Sequence, residues 1–336
     1  MPKISVLMPF YNTNPQHLRV AISSILSQTF SDFEFLILND SPENTRLDKI
    51  VESFNDPRIK YIKSSCNLGI AEAHNVLLKK VQGRYIALMD HDDISLPQRL
   101  EKQYHYMENH KEVGICGTAY KKFGKWNKCK KVYHPIEHKD IEALLLFNCP
   151  IHHPSSMIRK SVLDEFNITY DTQFISLNDR KLYWELSRIT KLHNIPEVLY
   201  EYRIHPTMTS RVRRPEIRKE QLNYRMNLLE AYGIRLNEEE LNILNAYILN
   251  GRCVINSNKI LKQINIILEK LVSANQCNQF VDEIAFQKVC AKYLIKRCKN
   301  AALKGFVSSK KILAMTKLPV NCPWWLNVFN LIAREK

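Results

Sequence analysis

Residues 85–93 read Tyr85-Ile86-Ala87-Leu88-Met89-Asp90-His91-Asp92-Asp93, and the rest of the chain is organised around them. A short apolar run suits a strand buried on both faces, and an acidic cluster where it ends suits a strand end that faces a ligand. Toward the N-terminus, apolar runs at 4–8, 33–38 and 59–62 predict three more strands. Between them, Leu18, Ala21, Ile22, Ile25 and Leu26 recur at helical spacing, and 47–54 and 70–81 also read as helices. Leu96-Pro97 opens a helix to about residue 110, and 113–119 predicts a fifth strand. This alternation argues for βαβ units and a mainly parallel sheet, whose strand C-terminal ends share one edge. Residues 9–12, Asn39-Asp40 and the acidic run all fall at that edge, which is therefore predicted to carry a site.

Farther along, the lysine-rich stretch within 120–150 predicts an exposed loop, 152–158 a strand, 178–189 a helix and 198–204 another strand. From Pro215 the periodicity is helical, over 217–232, 238–249, 260–271 and 284–303. The expected organisation is an α/β domain over 1–212 followed by a basic helical region over 213–336.

The chain has 336 residues, 45% hydrophobic and 25% charged, the balance of a globular protein. Only 8 glycines occur, with neither GxGxxG nor GxxxxGK[ST], which excludes the usual dinucleotide-binding and P-loop fingerprints. The net charge of +15 divides into about +3 over 1–210 and +12 over 211–336, so the tail is expected to face polyanions. The nine cysteines form no CxxC, which argues against a disulfide framework or zinc ribbon. The N-terminus lacks a signal-peptide pattern, and no stretch reaches the ~18–20 apolar residues of a spanning helix. The expected location is the cytoplasm, with peripheral contact on the cytoplasmic face of the inner membrane.

Asp90 and Asp92 are two apart and share a face in extended chain, and a bend at the strand end brings Asp93 in. Carboxylates at this density repel one another unless a cation lies among them, and hard divalent cations prefer oxygen ligands. Taken alone, the same tetrapeptide also reads as a solvated turn with helix-capping acids.

Several blocks, in order over about 3–210, resemble family 2 glycosyltransferases: residues 5–12 (SVLMPFYN), 23–30 (SSILSQTF), 33–40, and Asn67-Leu68-Gly69 with Ala73-His74-Asn75. Residues 83–93 with Pro97-Gln98-Arg99-Leu100, then 153–163, 178–186 and Tyr202-Arg203-Ile204-His205, continue the pattern. The resemblance implies a GT-A fold, Rossmann-like, that transfers a sugar from a UDP-sugar with inversion, with Mn²⁺ or Mg²⁺ as cofactor. It implies that Asp40 binds the uracil imide, that Tyr11 lies against the base with Pro9 shaping the pocket, and that Asn67 and His74 also meet the donor. Asp90 and Asp92 would hold ribose and, with Asp93 and His205, the metal. Asp179 would be the catalytic base. Asn39 stands where the family often has Asp, and His74 where it usually has Arg.

The implied acceptor is a glycan or lipid-linked glycan in lipopolysaccharide, capsule or other polysaccharide biosynthesis. Lys288, Lys292, Lys296, Arg297, Lys299 and Lys304, followed by Trp324, Trp325 and Phe329, have the composition of an interfacial anchor or of a basic helix packed on the catalytic domain. A nucleic-acid-binding protein is the competing class for a chain this basic, but no recognised nucleic-acid motif is present and none is expected as a partner. A catalytically inactive nucleotide-sugar-binding scaffold is the other alternative, against which Asp40, Asp92 and Asp179 argue.

Overall fold

A computed structural model describes residues 1–124, 129–174, 177–208, 212, 214–249 and 258–303. Strands β1 (Ile4–Phe10), β2 (Phe33–Asn39), β3 (Ile59–Lys63) and β4 (Tyr85–Leu88) lie in the order β3-β2-β1-β4, every pair parallel. They are joined by α1 (Pro15–Leu26), α2 (Thr45–Glu52) and α3 (Ile70–Leu78). The chain continues through β5 (Ile94–Ser95), α4 (Arg99–Asn109), β6 (Val113–Gly124), β7 (Lys130–Val132), α5 (His138–Leu144), β8 (Met157–Arg159), α6 (Lys160–Glu165), α7 (Asn178–Ser187) and β9 (Lys191–Ile204). β8 is antiparallel to both β4 and β6, and β9 runs parallel to β6, completing the order β4-β8-β6-β9-β5.

The apolar runs are continuous because both faces of the sheet are covered. Val6, Met8 and Phe10 of β1 pack in one cluster with Leu18, Ile22, Leu100 and Met107. Leu7, between them in sequence, faces the other way and packs with Leu77, Leu182 and Leu186. Asn14 caps α1, its Oδ1 accepting the Gln16 and His17 N–H groups at 2.9 and 3.3 Å. Gln28 then ties α1 to the approach to α4: its Nε2 donates to Leu96 O at 2.9 Å, and its Oε1 accepts the Leu100 N–H at 3.0 Å.

The stretch expected as an exposed lysine-rich loop is partly strand. β6 runs on through Lys121 and Lys122 to Gly124 and pairs antiparallel with β7, Lys122 opposite Lys130 and Lys121 opposite Lys131. The strand expected over 152–158 is a 3-10 turn (His153–Ser155) followed by the short β8.

Contacts divide the chain into two compact units: Met1–Leu145 with Cys149–Tyr224, and Leu146–Asn148 with the chain from Arg225. The helical part comprises α8 (Arg214–Ala231), which runs across that division, α9 (Glu238–Ile243), a π-helical turn (Leu244–Leu249), α10 (Asn258–Asn278) and α11 (Glu283–Leu303). Within the second unit Tyr232 stacks on Phe280 at 4.0 Å, and Phe147 lies 4.8 Å from Tyr293. Lys288, Lys292 and Lys296 form an exposed stripe of α11, whereas Arg297 is buried and donates to Ile248 O. The aromatic tail with Trp324 and Trp325 lies outside the described residues.

Candidate active site

Beyond β4 the chain turns through Asp90, His91, Asp92 and Asp93, and β9 fixes that turn. The Asp90 N–H donates to the Tyr200 hydroxyl at 3.2 Å, Arg203 donates its N–H to Asp93 Oδ1 at 2.7 Å, and Arg203 Nε donates to Asp92 O at 2.5 Å. From beneath, the fully buried Arg99 donates to Leu88 O at 2.7 Å and to Ser156 O at 3.2 Å. One carboxylate oxygen from each of Asp90, Asp92 and Asp93 lies within 4.8 Å of the others.

Their protonation reflects the crowding. Burial, then the charges of Asp92 and Asp179, push the Asp90 carboxyl up to about 7. Asp93 is fully buried and is driven well up, by burial and then by Asp92 and Asp90, and its Oδ2 has no hydrogen-bond partner. Asp92 goes the other way. Burial opposes its charge, but His91 and the His205 hydrogen bond outweigh it and hold the carboxyl low. His205 Nε2 is 2.7 Å from Asp92 Oδ2, and its ring is 5.7 Å from that of His17. Three converging carboxylates, one with an orphaned oxygen, and an imidazole at the rim suit a divalent cation such as Mg²⁺ or Mn²⁺.

Asp179 sits in the first turn of α7. Its Oδ1 accepts the Arg180 N–H at 2.7 Å, and Cys149 Sγ lies 3.7 Å from its Oδ2. Burial raises its carboxyl above the usual carboxylate range. Behind it lies a histidine–tyrosine cluster. The His74 ring is 4.7 Å from Tyr170 and 5.5 Å from His153, and His153 Nδ1 is 2.8 Å from the Tyr183 hydroxyl. Burial holds both imidazoles neutral, His74 near 3 and His153 near 4. His74 Nδ1 is 2.8 Å from Ile70 O, so the ring is engaged with α3, and Asp179 is among the charges that act on it.

At the other end of the sheet edge, Asp40 is 3% exposed, and its two oxygens accept the N–H groups of Leu68 and Gly69 at 2.8 and 3.0 Å. It thereby pins the turn before α3, where Gly69 adopts φ 79°, a conformation that suits glycine. Asn67 is exposed on that turn, Pro9 is within β1, and Tyr11 follows β1 with 51% exposure. Asn39 is buried and donates to Asp48 Oδ1 at 2.8 Å, while its Oδ1 accepts the Ser41 N–H at 2.8 Å. Asp48 also takes the Tyr61 hydroxyl and an ion pair with Lys63 at 2.9 Å. An amide is needed at 39 because a carboxylate already faces it.

Residues 5–186 match Glycosyl transferase family 2. The chain belongs to that family. It is 32% identical over 287 residues, 78% of this chain and 84% of the relative, to a Haemophilus influenzae protein described as an uncharacterized glycosyltransferase. It is 30% identical over 220 residues, 62% of this chain and 82% of the relative, to the Escherichia coli O-antigen biosynthesis glycosyltransferase WbnJ. The fold is similar to that of S. aureus TarS in complex with UDP-GlcNAc, with a TM-score of 0.57, 15% identity, and coverage of 90% of this chain and 92% of that one.

Several residues that build the site of this glycosyltransferase were not singled out from the sequence. Arg99 and Arg203 lie inside stretches that carry the family resemblance, and Tyr200 just before one, but all three hold the acidic turn through backbone groups, so nothing in the local pattern assigns them that role. Cys149 reads as a small apolar filler until Asp179 is placed beside it. His17 offered a signal, a polar ring near the start of a helix that follows a strand end, but its neighbours Asp92 and His205 come from far along the chain. No described helix is long and apolar enough to cross a membrane.

Proposed function

We propose that this glycosyltransferase moves a hexose or N-acetylhexosamine from a UDP-sugar, with inversion, to a glycan or lipid-linked glycan in the assembly of a bacterial lipopolysaccharide, capsule or related polysaccharide. The observation that carries the reading is the pairing of the acidic turn beyond β4 with Asp179 on α7. The two are close enough that the Asp179 charge helps to raise the Asp90 carboxyl. A displacement at the anomeric carbon needs a charge-stabilising group on the leaving side and a proton acceptor on the other.

Asp90, Asp92, the free Oδ2 of Asp93, and His205 would hold Mn²⁺ or Mg²⁺, with Asp90 and Asp92 also meeting the donor ribose. Such a cation neutralises the charge that develops on the departing diphosphate. Asp179 takes the proton from the attacking hydroxyl, and its raised proton affinity suits it to that task. Pro9 and Tyr11 flank the base. Asp40 spends one lone pair of each oxygen on Leu68 and Gly69 and keeps others for the uracil imide. Asn67, on the turn that Asp40 holds, reaches the donor. WbnJ supports the polysaccharide reading by its name, and TarS, whose structure contains UDP-GlcNAc, supports the donor class. The exposed lysine stripe of α11 supports peripheral contact with an anionic membrane.

A panel of UDP-sugars with Mn²⁺, scored for slow UDP release without acceptor, tests this reading. Release from one or a few of them is expected. No release from any, alongside release from GDP- or TDP-sugars, would contradict the UDP assignment.

A further inference from the structure

The hairpin of β6 and β7 sorts its charges by face. Alternation along β6 puts Tyr120 and Lys122 on one face and Lys121 on the other. Lys121 is neutralised by Glu201 of β9 at 2.9 Å. On the other face Lys122 stands directly opposite Lys130, and no ion pair to a carboxylate is formed by either among the described residues. Like charges directly opposite on a sheet are destabilising, so a pair left without a counter-charge calls for an anion.

The surroundings of the pair supply further donors. His134 lies two residues beyond the end of β7, and the Tyr120 ring stacks with His134 at 5.8 Å and with His152 at 3.9 Å. Lys122 Nζ is 6.0 Å from the Tyr120 ring. His134 Nε2 and His152 Nδ1 are both buried with no hydrogen-bond partner. Burial and then the charge of Lys130 lower Lys122, and burial and then the charge of Lys122 lower His134, so these side chains act on one another as positive neighbours. The His152 ring is 5.4 Å from Tyr200, whose hydroxyl accepts the Asp90 N–H, which places the cluster one ring away from the acidic turn.

We propose that Lys122, Lys130, His134 and His152 form a binding site for a phosphate-type oxyanion, and that the anion is the phosphate or diphosphate carried by the acceptor. The assignment to the acceptor rests on the glycosyltransferase reading above. The donor's own diphosphate belongs with the acidic turn and its cation, whereas this cluster holds its positive charge directly on side chains.

Calorimetric titration of the full chain, saturated with UDP and Mg²⁺ so that the donor side is filled, tests the site. The titrants are octyl diphosphate, octyl glucoside and inorganic phosphate. Octyl diphosphate is expected to bind and octyl glucoside not to. The double variant Lys122→Gln/Lys130→Gln should lose at least about tenfold in affinity for octyl diphosphate, because charge-assisted hydrogen bonds are removed. Lys131→Gln, on the opposite face, should stay within about twofold. The double variant should melt no lower than the parent, since a repulsion is removed, which separates lost binding from lost folding. Absence of octyl diphosphate binding, equal binding by the double variant, or an equal loss in Lys131→Gln would overturn the site. Inorganic phosphate binding at the same lysines as tightly as octyl diphosphate would overturn the acceptor assignment. Slow donor hydrolysis, expected to persist in the double variant, separates the two levels: its absence in the parent with every UDP-sugar would sink the donor reading and leave the oxyanion site to stand or fall on the calorimetry.

Discussion

His205 Nε2 lies 2.7 Å from Asp92 Oδ2, closing a loop of 113 residues between the end of β9 and the acidic turn beyond β4. A carboxylate and an imidazole at this distance are joined by a hydrogen bond, and the same two atoms are the right donors for a divalent cation that displaces the shared proton.

Chelation should therefore abolish transfer, and Mn²⁺ or Mg²⁺ should restore it. His205→Ala should weaken Mn²⁺ binding by more than about tenfold, since even loss of an outer-shell partner commonly costs that much. Calorimetry of Mn²⁺ binding in the presence of UDP reads this directly. Full activity in excess chelator, or unchanged Mn²⁺ affinity in the variant, would contradict the site.

Asn39 and Asp48 form a buried amide–carboxylate pair, and Asp48 is held below its usual range because its hydrogen bonds from Tyr61, Lys63 and Asn39 outweigh its burial. Asn39→Asp would set a second carboxylate against the first, at a cost on the order of 3 kcal/mol. Adding Asp48→Asn should recover most of that loss, because the pair is then rebuilt in reverse. Urea unfolding of the two single variants and the double variant measures the coupling, and additive effects would contradict the pairing.

His74 and His153 carry folded-state pKa values of about 3 and about 4, below the ordinary 6.5. Below pH 6.5 the unfolded chain takes up protons that the folded one refuses, so their contribution is complete above that pH and is lost as pH falls toward 4. His74→Phe removes one such group and should flatten the fall in stability between about pH 6.5 and 4. Urea midpoints across that range test it. An unchanged slope would mean that His74 is protonated in the folded protein.

The parallel half of the sheet was legible because β1, β2 and β4 are buried on both faces and read as unbroken apolar runs. The acidic turn was legible because its carboxylates are adjacent in sequence. The β6–β7 hairpin was not, since Lys121, Lys122, Lys130 and Lys131 have the composition of a solvated loop, and the Glu201 carboxylate that meets Lys121 lies 80 positions along the chain. The hold of Asp40 on Leu68 and Gly69 spans 28 and 29 positions, and no local pattern announces it. Asn39 was read only as a departure from a family pattern. Its reason is Asp48, nine residues on and one helix away.

The most direct test of the central claim is Asp179→Asn, which keeps shape and hydrogen bonding but cannot accept the proton. Acceptor-dependent turnover is measured beside UDP-sugar binding by calorimetry. Loss of a general base lowers rate by ~10²–10⁴-fold, and that fall with nearly unchanged donor affinity is the predicted result. In the parent the acid limb of the rate profile should lie above the ordinary carboxylate range, because burial raises Asp179. Near-normal turnover in the variant would contradict the account.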